Sequence, residues 1–253
     1  MQREEFEQQL WLDYIHTHPE LGGLALWHGT RADYLTLVTL DIGPFSAVEL
    51  TRKLHRMGYS PSAQYALADK GLMIHLLRAE DSSTLVLVEL KLGTLCRAPR
   101  EALEALVDRC HPQDCKGHNL LCRGRPWPMP SWSLYCTLEQ EHPLAAWLSV
   151  MGPRVHHAGF DCRTLGEPIG VLDQALAGAG MPGHQHRYNG IFSVSKALEH
   201  RFYPAMPQRV AFCHGDQHRL CLGGLALAEP GGAASTVPLC DELLPAHARC
   251  EMA

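Results

Sequence analysis

Apolar residues recur along this chain first at helical and then at strand spacing. Phe6, Leu10, Tyr14 and His18 fall on one helical stripe, widened by Trp11 and Ile15, so residues 3–18 read as an amphipathic packing helix. Pro19 and Gly22-Gly23 end it. Residues 33–40 alternate and are rich in Leu, Val and Thr, which predicts a strand. Gly43-Pro44 breaks it, and Phe45, Val48, Leu50, Leu54 and Met57 then predict a helix over 45–57 with Gly58 as its C′ glycine. Three strands follow at 63–67, 72–77 and 85–90. Turns at Asp69-Lys70-Gly71 and Asp81-Ser82-Ser83 separate them.

The same order recurs later. A helix over 99–109 opens with Pro99 in its first turn, residues 110–133 read as loop, and a second helix covers 138–151 with Leu144, Trp147, Leu148 and Met151 on one face. Gly152-Pro153 ends it, and a strand runs over 154–162. A helix follows over 167–179, then a Gly- and His-rich loop at 182–190. Strands are predicted at 198–203, 208–213 and 220–228, with Gly215-Asp216 as a hairpin turn. The fold class implied is α+β, built from two β-α-β-β-β modules around one central pocket, with N-terminal and connector helices. The boundaries are module one at about 30–92, connector 93–152 and module two 153–229, all in one domain over 1–229. A flexible Gly-, Ala- and Pro-rich tail occupies 230–253. The strands at 32–40 and 154–162 are expected to match each other and to face the same pocket.

Composition narrows the function. The net charge is -5 with 19% charged residues and no basic block, which argues against nucleic-acid binding. No apolar run approaches the ~20 residues of a membrane span. The start, Met1-Gln2-Arg3-Glu4-Glu5, lacks an apolar signal region. Ten cysteines in that context read as reduced thiols, and the expected location is cytoplasmic. Sixteen histidines raise the prospect of a metal site.

A set of ordered motifs runs from about residue 6 to 229. It comprises Leu10-Trp11-Leu12-Asp13-Tyr14, Gly58-Tyr59-Ser60-Pro61, Lys70-Gly71-Leu72-Met73-Ile74-His75 and Val88-Glu89-Leu90 in the first half. Ala146-Trp147-Leu148 with Gly152, His157, Gly180, Asn189-Gly190-Ile191 and Leu198-Glu199 continue it. In these the chain resembles the 2-oxoadipate dioxygenase/decarboxylase family, a branch of the vicinal-oxygen-chelate superfamily. The resemblance implies curved sheets enclosing a non-haem Fe(II) that takes O₂ and a 2-oxo acid, gripped by two histidines and one carboxylate with open positions for substrate. Carried onto this chain, the first histidine falls on Tyr34, the second on His157, the glutamate on Ala226 and a substrate-binding arginine on Val38. One ligand of three remains.

Substitutes are available in the sequence. Glu89 stands where the superfamily often places a carboxylate, and His75 and His200 lie on strands that could face the cup, so His157 with Glu89 and His75 or His200 is a candidate rebuilt grip. Glu229, three residues past Ala226, should point to the other strand face, as should His156 relative to His157. Cys110, Cys115, His118 and Cys122 are a candidate structural zinc set, with a reduced cysteine-bearing connector as the alternative. His184 and His186 would share a face if extended. His214–His218 reads as a hairpin tip. Cys162 beside Asp161 has a histidine nearby in sequence, but a nucleophile needs a geometry that sequence alone does not supply. There is no phosphate loop and no Gly-x-Ser-x-Gly elbow. Two functions remain open. One is a divergent metal-dependent dioxygenase/decarboxylase acting on a 2-oxo acid. The other is a relative without the family reaction that binds a small apolar or aromatic molecule or serves as a scaffold. The loss of charge at Tyr34, Val38 and Ala226 favours the second.

Overall fold

The structure is a computed structural model that describes residues 2–21, 31–111, 113–115, 117, 120–181, 191–195 and 198–231. One sheet of eight strands dominates it. The first module supplies β1 (Tyr34–Leu40), α2 (Ala47–His55), β2 (Ser60–Leu67), β3 (Leu72–Arg78) and β4 (Thr84–Leu90). Ahead of them lies α1 (Arg3–Thr17). The connector holds α3 (Arg97–Val107), α4 (Trp132–Glu141) and α5 (Pro143–Met151). The second module supplies β5 (Arg154–Asp161), α6 (Cys162–Leu165), α7 (Ile169–Gly178), β6 (Phe192–Ser195), β7 (Leu198–Pro204) and β10 (Gly224–Pro230). A separate hairpin, β8 (Gln208–Ala211) with β9 (Gln217–Leu220), is inserted before β10.

The strand order β2-β3-β4-β1-β5-β10-β7-β6 is that of two identical half-sheets joined at their first strands. In each half the first strand runs parallel to the last, and the other pairs are antiparallel. β1 and β5 meet antiparallel, with Tyr34 opposite Gly159 and Thr36 opposite His157. A two-fold exchange maps Tyr34 onto His157 and Thr36 onto Gly159. The parallel pairs obey the same exchange, since Thr36 faces Val86 as Gly159 faces Ala226. β1 is buried at every position, as expected for a central strand covered on both faces.

The two halves also share a helix-capping device. Glu89, at the end of β4, accepts the backbone N–H of Ala47 at 2.7 Å, and Glu229, at the end of β10, accepts that of Ile169 at 2.8 Å. Each carboxylate meets the unpaired N–H groups at a helix start, where the helix dipole favours negative charge. Glu229 therefore does point away from the face of Ala226. The residue identities of the halves differ, yet the electrostatics of the strand-to-helix connection are the same.

Several elements differ from the sequence reading. The helix expected over 138–151 is two helices, because Pro143 has no N–H to continue α4 and starts α5 instead. His142 caps the new helix, its Nδ1 accepting the Leu144 N–H at 3.1 Å. The region read as loop over 110–133 contains a 3₁₀ turn at Leu120–Cys122 and the first residues of α4. The second strand of module two is Phe192–Ser195, and 208–211 belongs to the inserted hairpin, so the strand expected over 220–228 is interrupted before Gly224. The 182–190 loop and the tail beyond 231 lie outside the described residues. No helix among the described residues is long and apolar enough to cross a membrane.

Truncating either capping carboxylate leaves a helix-start N–H without its acceptor. Glu89→Ala and Glu229→Ala should each lower unfolding free energy by about 1–3 kcal/mol in urea titrations, with Glu89 at the larger end because it is the more buried.

Candidate functional site

The seam between β1 and β5 sets the site. Alternation along the strands puts Tyr34, Thr36, His157, Gly159, Gly224 and Ala226 on one face, and the paired registers agree. The three positions that the sequence reading singles out, Tyr34, His157 and Ala226, are thereby gathered. They are 1%, 0% and 0% exposed, so the centre is sealed from solvent.

Glycine makes this arrangement possible. A β-carbon on Gly159 would overlap the Tyr34 ring at Cε1 and Cζ, so the phenol sits against the opposite strand's backbone. A β-carbon on Gly224 would overlap the Tyr203 carbonyl oxygen and lie 2.6 Å from Cζ of Phe202. Two aromatic rings thus occupy the floor over two glycines, on either side of His157. The His157 ring meets Tyr34 edge-on with centroids 6.0 Å apart and 87° between planes, and meets Phe202 at 5.6 Å and 87°. Such edge-to-face contacts add modestly to what ring burial contributes.

A β-bulge corrects the expected orientation of His156. The register jumps between Thr36 and Leu37, so that Leu37 faces Val155 and the β1 register skips His156. The extra residue turns to the side of His157, and their Nδ1 atoms lie 2.9 Å apart. His156 also stacks near Phe202 and meets the Trp147 ring on α5 at 5.1 Å. The indole N–H of the buried Trp147 has no hydrogen-bond partner among the described residues.

The other candidate ligands are held elsewhere. Glu89 pairs across from Thr39, on the face opposite Tyr34, and is engaged by the Ala47 N–H and by Lys91 Nζ at 2.7 Å. His75 lies on that same face, 4.0 Å from Glu89, and burial lowers its pKa. The structure does not bring either to His157. His200 shares the face of His157 but pairs with Ala228, while His157 pairs with Gly224. Four residues along β10 separate them, about 13 Å. Val38 is fully buried in the apolar core. In the connector, Cys110, Cys115 and Cys122 are free thiols, whereas His118 lies outside the described residues, as do His184 and His186. Among the described residues no group of three or more His, Cys, Asp and Glu side chains is placed to hold a metal ion. Cys162 is buried, and its thiol is pushed up to about 12 by burial and by nearby Glu229 and Asp161, which suits a packing residue rather than a nucleophile.

Helix α1 closes the far side of the seam. The Tyr14 hydroxyl donates to the Gly224 carbonyl, and Asp13 pairs with Arg154 at 3.0 Å through its Nε. His18, fully buried, stands beside Gly223 and the His156 carbonyl. Burial lowers its pKa to about 4, helped by the Arg154 charge and opposed by the Leu222 backbone. A cavity of about 310 Å³ lies between α1 and the start of β1, lined by Glu7, Trp11, Arg31 and Leu35 among others.

Comparison with known proteins supports the fold. No protein-family model matches the chain, and no curated protein matches by sequence. Solved structures do match. A candidate hydrolase from Shewanella frigidimarina superposes with a TM-score of 0.80 at 21% identity, over 92% of this chain and 94% of its own. The hydroxyglutarate synthase of Oryza sativa, solved with 2-oxoadipate, gives 0.75 at 16% over 89% and 79%. A glyoxalase-superfamily protein from Ralstonia eutropha gives 0.69 at 15% over 90% and 84%. The fold is of the vicinal-oxygen-chelate type.

The sequence reading did not place Phe202, Gly159 or Gly224 in the site, and it named Trp147 only as a helix-face and motif residue. Gly159 in a strand interior was the available signal, since such a glycine often marks close approach of another group.

Two outcomes test this geometry. Gly159→Ala should destabilise by about 2 kcal/mol or more through overpacking, and in a Tyr34→Ala background its added cost should fall well below that value. His18 titrates near 4 when folded and near 6.5 when unfolded. The unfolded chain therefore binds the extra proton between those values. This contribution is whole above about pH 6.5 and is lost as pH falls toward 4, up to about 3 kcal/mol. Denaturation across that window should show the loss in the wild type and its reduction in His18→Gln.

Proposed function

We propose that this chain is a divergent relative of the 2-oxoadipate dioxygenase/decarboxylase family that does not carry out the family reaction. The observation that carries the reading is the Tyr34 ring lying on Gly159. It occupies the centre of the cup, at the position where the resemblance places a metal-binding histidine.

The residues present do not fit the iron that the family implies. A facial grip needs two imidazoles and a carboxylate, the last offsetting part of the ion's charge. Here the three positions offer a neutral phenol, one imidazole and a methyl group, in a site walled by Phe202 and Trp147. Among the described residues Glu89 and His75 do not supply the missing ligands, because they sit on the opposite face, and His200 is displaced along the strand. The rice enzyme of the same fold was solved with 2-oxoadipate. In this chain an organic acid of that size would have to displace packed rings and leave its carboxylates without a cationic partner at Val38, which is costly in an apolar interior. On this reading the central pocket does not take the 2-oxo acid. A small-molecule role would fall instead to the cavity beside α1, and a scaffold role to the outer surface.

Purified protein dialysed against buffer should retain far less than one iron per chain, and 2-oxoadipate should give no O₂ uptake above a protein-free control. The double substitution Tyr34→His with Ala226→Glu adds a second imidazole and a carboxylate beside His157. It should raise Co(II) or Fe(II) binding toward one ion per chain. Stoichiometric iron in the unmodified protein, removed by His157→Ala, would overturn the reading.

A further inference from the structure

Away from the centre, the cavity of about 310 Å³ beside α1 combines an aromatic wall with carboxylates. Glu4, Glu7 and Trp11 stand at i, i+3 and i+7 along α1, on one face of the helix. The Trp11 ring is partly buried and leans on Tyr14, with centroids 5.5 Å apart and 45° between planes. Leu35 of β1, itself buried, adds apolar wall. Ser83 donates its hydroxyl proton to the Ala32 carbonyl at 2.6 Å, so its oxygen is left to the cavity as an acceptor. Arg31, the guanidinium among the described lining residues, is already engaged. Its Nη1 lies 3.5 Å from Glu7 Oε2 and donates to the Asp81 carbonyl. Glu7, with its side chain only 11% exposed, also accepts the Tyr59 hydroxyl. Glu4 has no hydrogen-bond or ion-pair partner among the described residues. Two carboxylates against one guanidinium leave the lining with one negative charge in excess.

Resting on the reading that a small-molecule role falls to this cavity, we propose that it binds a small primary ammonium ion carrying an aromatic or aliphatic body. The body lies against Trp11 and Leu35, and the ammonium turns toward the Glu4 and Glu7 carboxylates. An ammonium group has three N–H donors and no acceptor, which matches carboxylate and hydroxyl oxygens as partners. The face of an indole attracts a cation more strongly than that of a phenol or a phenyl ring. An anion of the same size would meet an Arg31 already held by Glu7 and Asp81, beside carboxylates that repel it. A neutral molecule would leave the excess charge of the lining uncompensated. The volume lies at the lower end of the roughly 300–1,000 Å³ of small-molecule pockets, so the ligand is small.

Calorimetric titration of the full chain with 2-phenylethylammonium tests this, with 2-phenylethanol and 3-phenylpropanoate as neutral and anionic counterparts of similar shape. The ammonium should bind at one per chain, about tenfold or more tighter than either counterpart, and should weaken as salt is raised. Glu4→Gln keeps the side-chain shape at an exposed position and should weaken binding about threefold, the order expected for one exposed charge. Trp11→Leu should weaken it by a larger factor, with thermal unfolding showing that both variants keep the fold. Equal or tighter binding of either counterpart, no saturation by the ammonium at about 10 mM, or an affinity that Glu4→Gln leaves unchanged would overturn the proposal. Iron content and O₂ uptake read the centre, whereas ammonium binding reads the cavity, so either can fail while the other stands.

Discussion

The aromatic ring of Tyr34 resting on the bare backbone of Gly159 organises the middle of this protein. It lies at the antiparallel junction of β1 and β5, where the two half-sheets become one. Opposed residues at such a junction share a face, so whatever side chain occupies position 34 is driven into the common centre. A glycine opposite gives a large ring somewhere to lie, and Phe202 over Gly224 repeats the solution one strand away. The result is a centre in which Tyr34 and His157 are buried, with the part-buried Phe202 ring at its edge.

The two-fold relation between the modules explains why this matters chemically. Exchange of the halves superimposes Tyr34 on His157, so the two positions form a symmetric pair. One half keeps an imidazole and the other holds a phenol, which breaks the symmetry of donor strength while keeping that of position. Outside the centre the repeat persists, for Glu89 and Glu229 still cap equivalent helices. Structural carboxylates sit where they satisfy backbone groups at helix starts. Carboxylates of this kind cost stability when lost, whereas a carboxylate in a closed apolar centre costs stability unless a cation pairs with it.

Around this centre, polar groups are placed as local ties. Arg154 and Asp13 bind α1 to the start of β5, His142 restarts the helix broken by Pro143, and the His156–His157 contact follows from a single extra residue in β5. The bulge accounts for the face of His156, which strand periodicity misassigns. A period-two pattern carries no mark of an inserted residue, because the extra residue only becomes visible when a partner strand skips it.

The sequence by itself determined the order of elements in module one, the amphipathic helix with Phe6, Leu10, Tyr14 and His18 inward, and the matching of the strands around 34 and 157. Those features rest on local periodicity and turn chemistry, which act over a few residues. It also placed Tyr34, His157 and Ala226 together, through the resemblance and the strand register it implied. Tertiary structure decided the rest. It put Glu89 and His75 on the opposite face, spaced His200 away, set the second strand of module two at 192–195, and filled the cup with Tyr34 and Phe202. Each of these depends on which strand lies beside which and on how rings pack across them, contacts between residues far apart in the chain that no local pattern encodes.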